Sequence, residues 1–176
     1  MDQLSGLPTH PLVVHLPVVL LPLAAIGVAV TLVRYQWYLR YRWITVGIGA
    51  AGVLGAILAA STGEGLQHDV SEGASQAARH LIHEHVEAGD MARTVSIVFG
   101  VILVLYAMVP WFLARRAGQP EVTDDGKPSG AGGPSWLRPV LMALVALAAI
   151  GSVYTVINAG HTGATSVWEQ VESGGA

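Results

Sequence analysis

The chain predicts an all-α fold, a four-helix transmembrane bundle, on three observations. Of its 176 residues 52% are hydrophobic and only 12% charged, with a mean hydropathy of +0.53. That is more apolar surface than a water-soluble domain of this length can hide. Four stretches, 12–33, 44–61, 95–113 and 137–157, stay apolar for about the 20 residues that a helix needs to cross a hydrocarbon core, and only Arg138 brings formal charge into them. In lipid every backbone amide must be satisfied internally, which leaves helices or a closed barrel, and barrel strands read as short alternating segments rather than continuous apolar runs.

The first span opens on residues 10–17, HPLVVHLP. Pro11 suits the first helical position, whereas Pro17 and Pro22 leave carbonyls near Val13 and Val18 without their usual donors and bend the first turns. His15, roughly one turn inside, is either a ligand or a ring bonded to such a loosened carbonyl. Asp2 rather than a basic leader precedes this span, so it is expected to be retained. In the second span Gly47, Gly49, Gly52 and Gly55, with Ala56 and Ala59, point to close helix packing more than to cofactor contact.

Between spans two and three, residues 63–90 form an ordered segment rich in His and Glu. Residues 75–86, SQAARHLIHEHV, carry helix formers at helical spacing and should run on into the third span. On that helix His80, Glu84 and Glu87 share one stripe, and His83 stands four residues before Glu87. His85 shares its stripe with Leu81, Ala88, Gly89 and Ala92, so it looks across a clearing of small residues. Residues 117–135, AGQPEVTDDGKPSGAGGPS, have too little apolar content to order themselves and read as a flexible cytoplasmic linker. The chain thus divides into 1–116 with three spans, the linker 117–135, and 136–176 with the fourth span and an outer tail carrying Trp168. Trp37, Tyr38, Tyr41, Trp43, Trp111 and Trp136 make an inner aromatic belt.

Orientation follows from the cations. Arg34, Arg40, Arg42, Arg115, Arg116, Lys127 and Arg138 flank one side of the spans, against Arg79 and Arg93 on the other. By the positive-inside bias the first group is cytoplasmic and both termini lie on the outer side. All seven histidines, His10, His15, His68, His80, His83, His85 and His161, then face the periplasm or exterior of a bacterial inner (plasma) membrane. Asp2, Glu64, Asp69, Glu72, Glu84, Glu87, Asp90, Glu169 and Glu172 accompany them, a surface suited to cations and not to nucleic acid. Cysteine is absent, which excludes disulfides, iron–sulfur clusters and thiolate zinc sites.

The opening HPLVVHLP, Thr62-Gly63-Glu64 at the end of the second span, His83-Glu84-His85 ahead of the third and Gly160-His161-Thr162-Gly163-Ala164 after the fourth resemble the bacterial membrane family called domain of unknown function 2231. The resemblance covers nearly the whole chain apart from the linker and tail. It implies a four-helix membrane protein, and relatives joined to c-type cytochrome or Rieske domains imply a place in respiratory electron transfer. His85 to Gly89 matches the family's His-x-x-x-Gly pattern, while Ala164 stands where its His-x-Gly-Gly pattern has the second glycine.

Three readings of the histidine side follow. In the first, a b-type haem is held by His15 or His161 opposite His85, with Arg79 or Arg93 pairing its propionates, and electrons pass to or from a cytochrome or quinol partner. In the second, a non-haem Zn, Cu or Fe ion is held by a selection from His10, His15, Glu64, His83, His85 and Glu87. Neither an HExxH motif nor the paired Glu-x-x-His pattern of di-iron bundles completes that set. In the third nothing is bound, and the cluster is a pH-responsive surface or a docking patch. No catalytic residue is assigned, since Ser61 and Thr62 lack a nucleophile elbow. The expected partners are the lipid bilayer, a redox protein or quinol, and a second copy in a homo-oligomer.

Overall fold

The computed structural model describes the backbone of residues 3–4, 7–71, 76–124, 126–129 and 133–173. Asp2 and Glu72 lie outside the described residues, as do the side chains of His68, Asp69, Glu169 and Glu172. A two-residue antiparallel pairing of β1 (Gln3–Leu4) with β2 (Leu7–Pro8) leads into α1 (Thr9–Val33), α2 (Tyr35–Ser71), α3 (Gln76–Arg116) and α4 (Leu137–Ser173). Each of the four helices is long and apolar enough to cross a membrane.

All four helices outrun the apolar stretches that announce them. Arg34 alone separates α1 from α2, with the Trp37 and Tyr38 amides donating to its carbonyl, so the expected loop between spans one and two is instead the start of a helix. No Gly or Pro interrupts 34–46, and nothing there breaks the helix once it turns. Tyr38, expected in an interfacial belt, is accordingly buried at 3% exposure and donates to the carbonyls of Tyr106 and Ala107 at 3.2 Å. Of the segment 63–90, residues 63–71 end α2, 72–75 lie outside the described residues, and 76–90 are the continuous first part of α3, as their helix formers predict. Beyond span four, α4 continues through the stretch expected as a tail, with Thr165 and Ser166 donating back to His161 and Gly163.

Helix α1 packs chiefly on α2 and α3 on α4, while α2 against α3 and α1 against α4 close the ring. Leu21, Phe99, Leu103 and Val145 fill its centre at 0–2% exposure. Outward faces stay apolar, with Ile26, Ile150 and Leu147 exposed at 60%, 68% and 67%. Such faces would aggregate in water and fit hydrocarbon without cost. Small residues let the helices close up. A Cβ on Gly52 would sit 2.9 Å from the Leu21 side chain, and one on Gly55 would sit 2.7 Å from Leu16. This is the packing role expected of the second span's glycines, and Gly49 shares it, whereas Gly47 is exposed with open space where a Cβ would lie.

The burial pattern repeats. Buried Leu21, Ala24, Val28 and Thr31 of α1 are matched 75 positions later by buried Ser96, Phe99, Leu103 and Tyr106 of α3. Buried Thr45, Gly49, Gly52 and Ala56 of α2 are matched 100 positions later by buried Val145, Ala149, Ser152 and Val156 of α4. The hairpins α1–α2 and α3–α4 therefore present the same faces inward.

At the arginine-rich end, Arg42 is buried and pairs with Glu121 through both carboxylate oxygens, its Nη2 lying 2.8 Å from Oε2. Tyr35 donates to the Glu121 carbonyl at 3.2 Å, and Val122 bridges to Pro128. The stretch 117–135, expected as a flexible linker, is thus fixed at one point. Composition misses this because a single desolvated arginine–carboxylate fork can hold a loop that has few apolar side chains to bury.

Candidate cofactor site

At the opposite end the bundle encloses a cavity of about 500 Å³ to which all four helices contribute. Its walls are mainly small or apolar: Val14 and Pro17 of α1, Ala56, Ala59 and Ala60 of α2, Val86, Gly89 and Ala92 of α3, and Val156, Ala159 and Gly160 of α4. Two imidazoles enter it, His10 from the first turn of α1 and His85 from α3. The helices carrying them stand diagonally in the ring, so the two side chains meet across the bundle axis. Their ring centres are 6.3 Å apart, with planes crossed at 78°.

Each ring is tied down at Nδ1. His10 Nδ1 donates to the Ala59 carbonyl at 2.9 Å, with the Thr62 hydroxyl at 3.3 Å. His85 Nδ1 lies 3.3 Å from the Thr162 hydroxyl. Both hydroxyls spend their single proton on their own helix, Thr62 on the carbonyls of Leu58 and Ala59, Thr162 on that of Ala159. With their protons so placed they accept from the rings, and a neutral imidazole that donates at Nδ1 keeps a lone pair at Nε2. Among the described residues neither Nε2 has a partner.

Room for each ring is made by a glycine of the neighbouring helix. A Cβ on Gly63 would lie 3.0 Å from His10 Cε1, and one on Gly163 would lie 2.8 Å from His85 Cε1. The second distance is shorter than real carbons tolerate. At the rim Arg93 bridges Glu64 at 3.3 Å and Asp90 at 3.1 Å, all three side chains lining the opening.

The other nominated residues stand elsewhere. His15 is exposed on the outside of α1 and donates at 2.7 Å to the Pro11 carbonyl, one turn back and not among those the prolines loosen. His161 is exposed on α4 and does not line the cavity. Neither pairing of His15 or His161 with His85 occurs, because helix phase turns both rings outward. His80 and His83 are exposed and sit 3.5 Å and 3.4 Å from Glu84 and Glu87, one turn along the same helix. Arg79 is exposed, and Arg93 is engaged by carboxylates instead of standing ready for a propionate. Of His10, His15, Glu64, His83, His85 and Glu87, the cavity gathers His10, His85 and, at its rim, Glu64. Among the described residues no three His, Asp or Glu side chains come together as a metal-holding group.

Sequence reasoning named the residues that orient the rings, Ala59 for packing and Thr62, Gly63, Thr162 and Gly163 as parts of family motifs, but gave none of them that role. A signal was present. Residues 59–63 read AASTG and residues 159–163 read AGHTG, the same Ala-x-x-Thr-Gly pattern twice.

Comparison with known proteins adds the lineage. Residues 6–172 match the profile of a family described as predicted membrane protein (DUF2231). No curated protein matches the chain, and no solved structure does.

Proposed function

The chain belongs to the DUF2231 family of predicted membrane proteins, and from that premise we propose that this integral membrane protein holds a b-type haem between His10 and His85 and serves in electron transfer at one face of the membrane. One observation carries the reading: two imidazoles from diagonal helices face a shared cavity with Nδ1 satisfied and Nε2 unpartnered. Were one metal shared by both imidazoles, bonds of about 2.0 Å, with about 1 Å from each nitrogen to its ring centre, would allow the ring centres to stand up to about 6 Å apart. The observed 6.3 Å agrees. Hydrogen-bonded Nδ1 atoms are also the usual outer support of a ligating histidine, fixing tautomer and ring orientation.

Cavity size favours a macrocycle over a bare ion. About 500 Å³ falls within the range of roughly 300–1,000 Å³ found for organic cofactor sites. A lone cation needs three or four converging donors instead, and among the described residues two imidazoles converge here. Bound there, haem supplies a one-electron couple whose potential is set by ligand identity and burial. The chain's own residues orient the two ligands, wall the site with alanine, glycine and valine, and set charge at the rim, where Arg93, Glu64 and Asp90 stand. The positive-inside distribution supports an extracytoplasmic position in a bacterial plasma membrane, and a cytochrome or quinol as partner.

The test is spectroscopic. Protein purified from membranes in mild detergent should show a Soret band and, after dithionite, a sharp alpha band. His10→Ala and His85→Ala should each lower haem content about ten-fold or more, while His15→Ala and His161→Ala keep it. A colourless wild-type protein, or bands that survive both cavity substitutions, ends the proposal.

A further inference from the structure

The two halves of the bundle repeat one another down to the atoms that orient the rings. His10 and His85 stand 75 positions apart, the same step that carries the buried residues of α1 onto those of α3. Thr62 and Thr162 stand 100 apart, the step that carries the buried residues of α2 onto those of α4. In each hairpin three parts meet in the same way. The first helix supplies an imidazole, the second supplies the threonine hydroxyl that its Nδ1 reaches at 3.3 Å, and the next residue is the glycine whose missing Cβ gives the ring room.

Each clamp is complete within its own hairpin. Among the described residues His10 of α1 hydrogen-bonds across to α2, and His85 of α3 across to α4. Exchanging α1–α2 with α3–α4 maps the ring of helices onto itself, so equivalent groups fall on opposite sides of the central axis. The cavity lies there, bounded in equivalent places by Ala59 and Ala159, and by Gly63 and Gly163.

We infer that the chain is a duplicated helical hairpin, each copy carrying its own imidazole clamp, and that Thr62 and Thr162 are positioning residues holding both rings as the Nδ1–H tautomer, so that two equivalent Nε2 lone pairs meet one metal-centred ligand on the axis between the hairpins. The identity of that ligand rests on the haem reading above; the duplication and the clamp do not. The consequence for function is specific. Were a haem held there, His10 and His85 would both be its ligands, and it would supply electron carriage rather than a site for oxygen or peroxide.

The experiment uses the full chain in detergent micelles, with ¹⁵N-labelled histidine, and records imidazole nitrogen–proton correlations for the wild type and for Thr62→Val, Thr162→Val, Thr62→Ser and Thr162→Ser. His10 and His85 are expected as Nδ1–H tautomers. Thr62→Val should disturb the His10 resonances alone and Thr162→Val those of His85 alone, to similar extents, and each serine variant should restore the wild-type pattern. An Nε2–H ring at either position, a valine variant whose effect falls on the other hairpin's ring, or a serine variant that fails to restore overturns the inference. Haemin added to the same samples reads the cofactor separately, each valine variant binding it about ten-fold more weakly than the wild type. Clamped tautomers in a protein that takes up no haemin would remove the haem reading and leave the duplication standing.

Discussion

A histidine near a membrane surface acquires meaning from what its two nitrogens touch. His15 and His10 are five positions apart on one helix, yet His15 closes on the Pro11 carbonyl while His10 crosses to the Ala59 carbonyl of α2. The first bond is local and could form in any helix; the second exists only because two helices pack. Replacing His15 with alanine should therefore cost about 0.5–1.5 kcal/mol at most and leave any cofactor content unchanged, as a denaturant titration and an absorption spectrum would show. Gly163→Val tests the opposite case. Its Cβ would arrive 2.8 Å from His85 Cε1, so ring or helix must shift. Haem uptake should fall about ten-fold or more, while insertion into the membrane persists; undiminished uptake would mean that His85 is not where the site needs it.

At the level of elements, the join between α3 and α4 is held by electrostatics rather than by apolar packing. Arg42, at 7% exposure, reaches Glu121 from the side of α2, and among the described residues its Nε finds no partner. Such a fork is a tether whose loss is asymmetric, because removing one member strands the other charge away from water. Arg42→Met should destabilise the protein by about 3–5 kcal/mol, and Arg42→Met with Glu121→Leu should recover most of that. Unfolding in detergent for the two variants and the wild type measures both. A double variant as unstable as the single one would show that the tether acts through something other than charge pairing.

The whole molecule is a ring of four helices whose outward residues require lipid and whose two ends differ in chemistry, arginine and tyrosine at one, histidine and carboxylate at the other. Because the chain has no cysteine, its direction in the bilayer can be read cleanly with single substitutions. Ala164→Cys, near the histidine end, and Ser135→Cys, at the arginine end, are both exposed positions. A membrane-impermeant maleimide applied to intact cells is expected to modify the first and spare the second, following the arginine bias. The reverse result would place the histidine cavity on the cytoplasmic side and move the proposed redox partner with it.

Composition and the run of apolar residues determined the class, the four helices and the continuity of α3, because a backbone in hydrocarbon has few ways to satisfy its amides. They also determined that histidine and arginine segregate, since loop residues sort by segment and need no tertiary information. Which imidazoles face each other was decided only by packing. A helical wheel gives relative phase within one helix, not the rotation of that helix against three others; the sequence therefore put His15 or His161 opposite His85 for a haem and offered His10 only as a ligand to a bare metal ion. The Ala-x-x-Thr-Gly pair was visible in the sequence at 59–63 and 159–163. Its weight came only when the glycines proved to lie against the two inward rings, because small residues report a close neighbour without naming which side chain approaches.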